Sequence, residues 1–400
     1  MSNRSINPHI LADLARGKMV LLSGPRQCGQ TTLAKSIGDP TSTMAYYNWD
    51  VATHRQNLKG YKLDLSREYW VFDELHKFRS WRNWLKGVYD LHHAEHKILV
   101  TGSARLDQYA RGGDSLQGRY FHYRLHPFTL AEVLGLPELD YRRTMERAAT
   151  FSPPDRDKAQ SVLTDLLSFG GFPEPFLSRS KSYAGRWRLA YGQRLVFEDV
   201  RSLEQTQELD QMSLLYDRLP DLVSNNLSIN NLAKDLEVAH QTVAKWIGIF
   251  EKLYANFYVL PFGDPKIKAI KKERKLYLWD VGRLADPGAR LENLVALHLL
   301  RLVHWFEDVY GEVIELRYIK DVDGHEIDFI LLRNKRPWIA IEVKSCEQDL
   351  SSGLTYLLKK ITIPFVYQIH LKSDQVYKLP KIHQSAISAM PVSHFLCAMP

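Results

Sequence analysis

The stretch LLSGPRQCGQTTLAKSI, Leu21 to Ile37, restricts the fold of this 400-residue chain more than any other segment. An apolar run from Lys18 ends at Gly24, and helix-compatible residues begin at Thr31. Strand, glycine-bounded loop and helix, in that order, place a phosphate at the carboxyl end of a strand in an open parallel sheet. In such a loop the glycines let backbone N–H groups turn inward around the phosphates. A lysine reaches the β and γ oxygens, and the next Ser or Thr hydroxyl holds Mg²⁺. Gly24 and Gly29 have the required spacing, with Pro25, Arg26, Gln27 and Cys28 between them and Thr31 and Thr32 after them. Gln30 stands at the lysine position.

Two downstream strands supply what such a loop needs. In YWVFDELHKF, apolar residues from Tyr69 to Phe72 deliver Asp73 and Glu74 at a strand end. Asp73 is expected to share Mg²⁺ with Thr31, and Glu74 to orient an attacking water. In KILVTGSAR a third apolar strand ends at Thr101 and Ser103, where a polar side chain can sense a γ-phosphate. ATP and Mg²⁺ are therefore the expected cofactors. Gln30 donates a hydrogen bond but cannot neutralise charge that develops on phosphoryl transfer, so binding is expected to survive and turnover to fall.

A chain of this length exceeds what one core usually supports and is expected to be modular. The formal charge of +7 and pI near 9.0 favour a polyanionic partner such as DNA. Cys28, Cys346 and Cys397 lie far apart without a C-x-x-C pair, which argues against a disulfide framework or a zinc site. With no apolar leader and no long apolar window, a soluble cytoplasmic protein without membrane contact is expected.

Between 137 and 209 the periodicity is helical, broken by turn signals at SPPD and GGFPEP. From Ser228 to Leu253, Leu232, Ala233 and Leu236 line one helix, and Val243, Trp246, Ile247 and Phe250 line a second after a short turn. This is helix-turn-helix spacing, offering His240, Gln241, Thr242 and Lys245 to a groove. YANFYVLPFG and KLYLWDVG are expected as wing strands around a basic stretch. There Lys266, Lys268, Lys271, Lys272, Arg274 and Lys275 would contact phosphates.

In the last quarter an amphipathic helix from Ala289 to Leu302 carries Glu292 near its start. RYIKDVDGHEIDFILLRNKRPWIAIEVKS reads as a hairpin, with turn residues at Asp323-Gly324 and a basic turn at RNKRP. One strand bears Asp328 and the next bears Glu342 and Lys344 on a single face. Charges in an apolar run are costly unless they share a task. Two carboxylates can hold Mg²⁺ against a scissile phosphate while a lysine orients water.

Taken together, GPRQCGQTTLAK, FDELHKF, TGSARLD, the QGRY segment and GGFPEPF resemble the AAA-like bacterial and archaeal ATPases that carry a C-terminal domain of unknown function. The last quarter resembles the PD-(D/E)xK nuclease core. The first resemblance implies that Arg119 acts in trans on a neighbouring subunit, and hence a homo-oligomer. The second implies an active-site set of Glu292, Asp328, Glu342 and Lys344, with Asp328 and Glu342 as metal ligands and Gln368 as a nearby polar residue. The expected fold class is multidomain α/β. An AAA-like P-loop core occupies 1–136, a helical connector 137–209, a winged helix 210–285 and a nuclease-like domain 286–400. The rival expectation is a non-enzymatic, nucleotide-gated binding module with relic sites.

Overall fold

A computed structural model describes residues 4–102, 116–201, 208–223, 228–263, 273–347, 349–372 and 374–400. The expected sensor Ser103 and the basic residues Lys266, Lys268, Lys271 and Lys272 lie outside them. The chain divides into two compact units, Met1–Pro127 with Lys252–Tyr254, and Phe128–Glu251 with Ala255–Pro400.

The first unit is built on a five-stranded sheet in the order β2-β3-β4-β1-β5. Its strands are β1 (Met19–Ser23), β2 (Met44–Asn48), β3 (Tyr69–Asp73), β4 (Lys97–Thr101) and β5 (Tyr120–Arg124), and every pairing is parallel. β1 is buried along its whole length, as a strand covered on both faces must be, which is why MVLLS shows no alternation. Trp70 and Phe72 from β3 join Trp84, Leu85 and Val88 from the Trp81–His92 helix in one apolar cluster.

The second unit begins with the expected helical stretch, including Arg156–Phe169, Pro173–Ser178 and Lys181–Arg194. The GGFPEP motif proves to be a packing device. Gly170 has φ of 76°, and a Cβ there would meet Asp280 Oδ1 at 2.7 Å. Asp280 is in turn held by Arg188 Nε at 2.8 Å. Pro173 then opens the following helix, where its missing N–H costs nothing.

An eight-stranded mixed sheet completes this unit, in the order β12-β13-β11-β10-β9-β8-β6-β7. The strands are β6 (Asn256–Pro261), β7 (Lys275–Leu278), β8 (Ile314–Lys320), β9 (Glu326–Arg333), β10 (Arg336–Cys346), β11 (Phe365–Lys372), β12 (Tyr377–Ile382) and β13 (Ser385–Pro391). The turns fall where the sequence puts them: Gly324 has φ of 86°, and Asn334 and Lys335 have φ of 53° and 62°. Two positive φ values in succession suit the short turn between twisted antiparallel strands.

Two helices form in this segment, Ile229–Asp235 and His240–Lys252, with Leu232, Val243, Trp246, Ile247 and Phe250 buried as the spacing requires. The wing does not stand apart. β6 and β7 pair antiparallel, but β6 also runs parallel to β8 through Leu260 and Pro261. An unpaired strand edge seeks a partner, and here the expected wing becomes the margin of the larger sheet. No helix among the described residues is long and apolar enough to cross a membrane.

Candidate functional site

β1 ends at Ser23, and the loop between it and the Gln30–Lys35 helix carries positive φ at Gly24, Gln27 and Gly29. Gly24 admits no side chain, because a Cβ would lie 2.3 Å from the Leu125 carbonyl oxygen. Gly24→Ala is therefore expected to destabilise the protein by about 2 kcal/mol or more and to abolish nucleotide binding. Denaturant unfolding and calorimetry check both, and wild-type values for either would remove the steric argument. The thiol of Cys28 is buried under the loop, 3.5 Å from the same carbonyl oxygen.

Across the loop mouth, Thr31 Oγ1 donates to Asp73 Oδ2 at 3.1 Å. Asp73, at the end of β3, also accepts from the Tyr46 and Thr101 hydroxyls and from Asn48 Nδ2 at 3.2 Å. Hydroxyl and carboxylate oxygens held this close are a hard donor set that suits Mg²⁺. Glu74 adopts φ of 57° and pairs with Lys77 Nζ at 3.0 Å. Burial raises the Glu74 carboxyl above its ordinary range, opposed first by the Lys77 charge. Arg26 supplies a further positive charge near Glu74.

Gln30 behaves as a clasp. Its Nε2 donates to Gly24 O at 3.0 Å and to Gly102 O at 3.2 Å, tying the start of the loop to the end of β4. It brings no charge to the loop. Arg119 lies at the opposite end of the sheet, where its carbonyl accepts from Met19 N at 3.0 Å. With about 3.3 Å per strand residue, the length of β1 separates it from its own loop. Its guanidinium Nε donates to Asp90 Oδ1 at 2.8 Å.

The C-terminal residues converge on one face of the larger sheet. The Pro287–Trp305 helix is fixed by Asn293, whose side-chain amide donates to Leu278 O at 2.8 Å and accepts from Leu278 N at 2.7 Å. That docking sets Glu292 beside β7, where it accepts from Tyr277 Oη at 2.6 Å and pairs with Lys275 Nζ at 3.3 Å. On β9, Asp328 Oδ2 accepts from Val343 N at 2.8 Å, which draws it toward β10. Lys344 Nζ lies 2.6 Å from Glu342 Oε1. Glu342 is 3% exposed, and its Oε2 is buried with no hydrogen-bond partner among the described residues. Gln368 stands in register with Glu342 on the parallel β11, and its Nε2 lies 2.9 Å from His370 Nε2.

An orphaned buried carboxylate oxygen beside a second carboxyl is the donor set a hard divalent cation completes. The Asp328 carboxyl, deep among protein atoms though not sealed from solvent, is pushed up to about 7, by burial first and then by Glu292. An unfolded aspartate titrates near roughly 4, so the folded state favours the bound proton. Its contribution to stability is full at acidic pH and is lost as pH rises through about 7. Thermal unfolding in EDTA should show Tm falling between about pH 4 and 7, and Asp328→Asn should flatten that fall. An identical pH profile in the variant would remove Asp328 as its source.

Lys275 departs from its expected role. It is 3% exposed and paired with Glu292 and Glu326, so it is not a phosphate contact on a wing. Burying an ammonium requires compensating carboxylates, and the sheet supplies them. Arg274 stacks over the Tyr258 ring at 3.9 Å. The sequence reading gives Lys275 a phosphate contact instead and assigns no role to Tyr277, Glu326 or His370. The signal was present: Glu326 and His370 each lie two positions from Asp328 or Gln368, and Lys275 and Tyr277 are two apart, so period-two alternation puts each pair on one strand face.

Residues 16–134 match the family described as an AAA domain. Residues 160–286 and 287–392 match two families described as domains of unknown function, DUF8612 and DUF4143. The uncharacterized protein MJ1544 of Methanocaldococcus jannaschii is 24% identical over 281 residues, which cover 68% of this chain and 60% of that protein, so the match spans under two thirds of its length. The uncharacterized protein Rv2008c of Mycobacterium tuberculosis is 24% identical over 359 residues, 84% of this chain and 75% of its own. Among solved structures, the Walker-type ATPase PABY2304 of Pyrococcus abyssi is 12% identical with a TM-score of 0.42, over 72% of this chain and 95% of that one. The strand–loop–helix of β1 and the Thr31–Asp73 pair fall within the stretch that matches the AAA-domain family, so residues 16–134 form an AAA-like domain.

Proposed function

We propose that this protein binds ATP and Mg²⁺ at the loop from Gly24 to Thr32 and acts on DNA through a metal-dependent, nuclease-like centre in its C-terminal region. The observation that carries the second half is the meeting of Asp328, Glu342 and Lys344 on adjacent strands, with Glu342 Oε2 left without a partner among the described residues. The run of elements supports it: the Pro287–Trp305 helix, β8, β9 and β10, the Ser352–Lys360 helix, then β11 parallel to β10. This helix, three-strand meander, helix and strand order is the one the PD-(D/E)xK resemblance implies.

When bound, Mg²⁺ would supply polarisation of the scissile phosphate and a lowered pKa for water. Asp328 and Glu342 hold the cation. Lys344, which lies 2.6 Å from Glu342 Oε1, would orient the attacking water. Gln368, beside Glu342, offers an amide to a phosphate oxygen. At the loop, Gly24 lets the backbone approach the phosphates, and Thr31 with Asp73 holds the nucleotide's Mg²⁺. Nucleotide occupancy then acts as the switch on DNA engagement. Arg119, too far along the sheet to serve its own loop, completes a neighbouring copy's site in a homo-oligomer.

Incubating plasmid with the protein and Mg²⁺ or Mn²⁺, with and without ATP, tests this reading. Divalent-dependent nicking or linearisation is expected; no cleavage under any condition would sink the nuclease half. Calorimetry with ATP tests the other half, and a flat titration would sink it. A second reading, a nucleotide-gated DNA-binding module without turnover, is favoured by the Gln30 clasp. It predicts gel shifts without cleavage.

A further inference from the structure

Four carboxylates meet on the C-terminal sheet face, and the structure divides them into two pairs. Glu292 and Glu326 are compensated. Glu292 Oε1 takes both Lys275 Nζ at 3.3 Å and Tyr277 Oη at 2.6 Å. Glu326 Oε1 pairs with the same ammonium, and its Oε2 lies 3.7 Å from Lys320 Nζ. Asp328 and Glu342 are the other pair, and among these residues the orphaned oxygen belongs to Glu342. The Lys275 side chain is 4% exposed, so it has no route to swing into solvent when a ligand arrives. Its strand, β7, is pinned by Asn293 through both amide atoms, so the ammonium is fixed relative to Glu292.

We propose that Lys275 is a resident cation of this centre, so that the site takes one divalent metal ion, held by Asp328 and Glu342. Glu292 then acts as the positioning partner of Lys275 and is not a metal ligand. The inference rests on the metal-dependent reading above and changes the role that resemblance gives Glu292. Its physical basis is occupancy. A second divalent ion beside Glu292 would have to displace a buried ammonium whose compensating charges lie in the same place. A fixed positive charge next to the metal pair also serves a phosphodiester, because it stays in position when the charge of the transition state develops.

The test is Mn²⁺ binding to the full, nucleotide-free chain, followed by calorimetry and by the electron paramagnetic resonance of free Mn²⁺. Sites are counted as those whose affinity falls about tenfold or more in Glu342→Gln. One such ion is expected in the wild type. In Lys275→Met, which uncovers Glu292 and Glu326, a second ion is expected. The double variant Lys275→Met/Glu292→Met replaces the pair by apolar side chains of similar size, a change that buried ion pairs often tolerate. It should bind one ion with an affinity within about threefold of wild type. Two ions in the wild type, one in a folded Lys275→Met, or a tenfold loss in the double variant would each overturn the inference and leave the metal-dependent reading standing. If Lys275→Met does not fold by circular dichroism, the wild-type count and the double variant decide. No Mn²⁺ bound by any form would instead overturn the metal-dependent reading itself.

Discussion

Gln30→Lys should raise ATP hydrolysis on the order of a hundredfold, the size of effect seen when a charged or hydrogen-bonding group is restored at developing phosphate or oxyanion charge. The geometry gives the reason. The Gln30 amide spends its donors on Gly24 O and Gly102 O, so the loop contains a clasp where transfer chemistry needs an ammonium. A lysine reaches further, keeps a donor for the same carbonyls and carries the charge that the γ-phosphate gains. Phosphate release measured on both proteins, beside their ATP affinities, checks it. Affinity is expected to tighten less than turnover rises, because the missing interaction matters most in the transition state. Equal and substantial rates in both forms would show that another group, with Arg26 the first candidate, supplies the charge.

The second large effect concerns Glu342. Its replacement by alanine should lower metal-dependent DNA cleavage on the order of a thousandfold, while leaving ATP binding unchanged. Stability gives an independent reading of the same variant. Glu342 is nearly fully buried with one oxygen unsatisfied, a state that costs folding free energy unless a ligand completes it. The metal-free Glu342→Ala protein should therefore unfold at the same temperature as wild type or a higher one. Mg²⁺ should raise the wild-type Tm and leave the variant's unchanged. A variant that is markedly less stable without metal would reduce Glu342 and Lys344 to a structural ion pair, and cleavage persisting in it would point to a contaminating nuclease.

Legibility followed burial. β1, β3 and β4 lie in the middle of the parallel sheet and read as unbroken apolar runs. β2 and β5 did not read as strands, because MAYYN and YFHYR mix aromatic and polar residues on partly exposed edges. In the larger sheet, the turns at Gly324 and Asn334–Lys335 and the strands between them were visible, since turn chemistry and alternation are local properties. The fate of KLYL was not. A short strand with a lysine at its head reads equally well as an exposed wing or a sheet margin, and its partner β6 lies across a chain segment that the sequence gives no means of closing.

The local code of this chain, glycine spacing at Gly24 and Gly29, an acidic residue ending an apolar strand at Asp73, and alternation around Glu342 and Lys344, determined which residues are candidates for the proposed phosphate and metal chemistry. Each depends on neighbours a few positions away, and backbone sterics and side-chain periodicity fix those without reference to the rest of the molecule. The pairing of Gln30 with two carbonyls, of Glu292 with Lys275, and the isolation of Glu342 Oε2 were decided by the tertiary structure alone. Those contacts join residues distant in sequence, and which charge compensates which depends on how strands and helices close around them, a property of packing that no window of sequence contains.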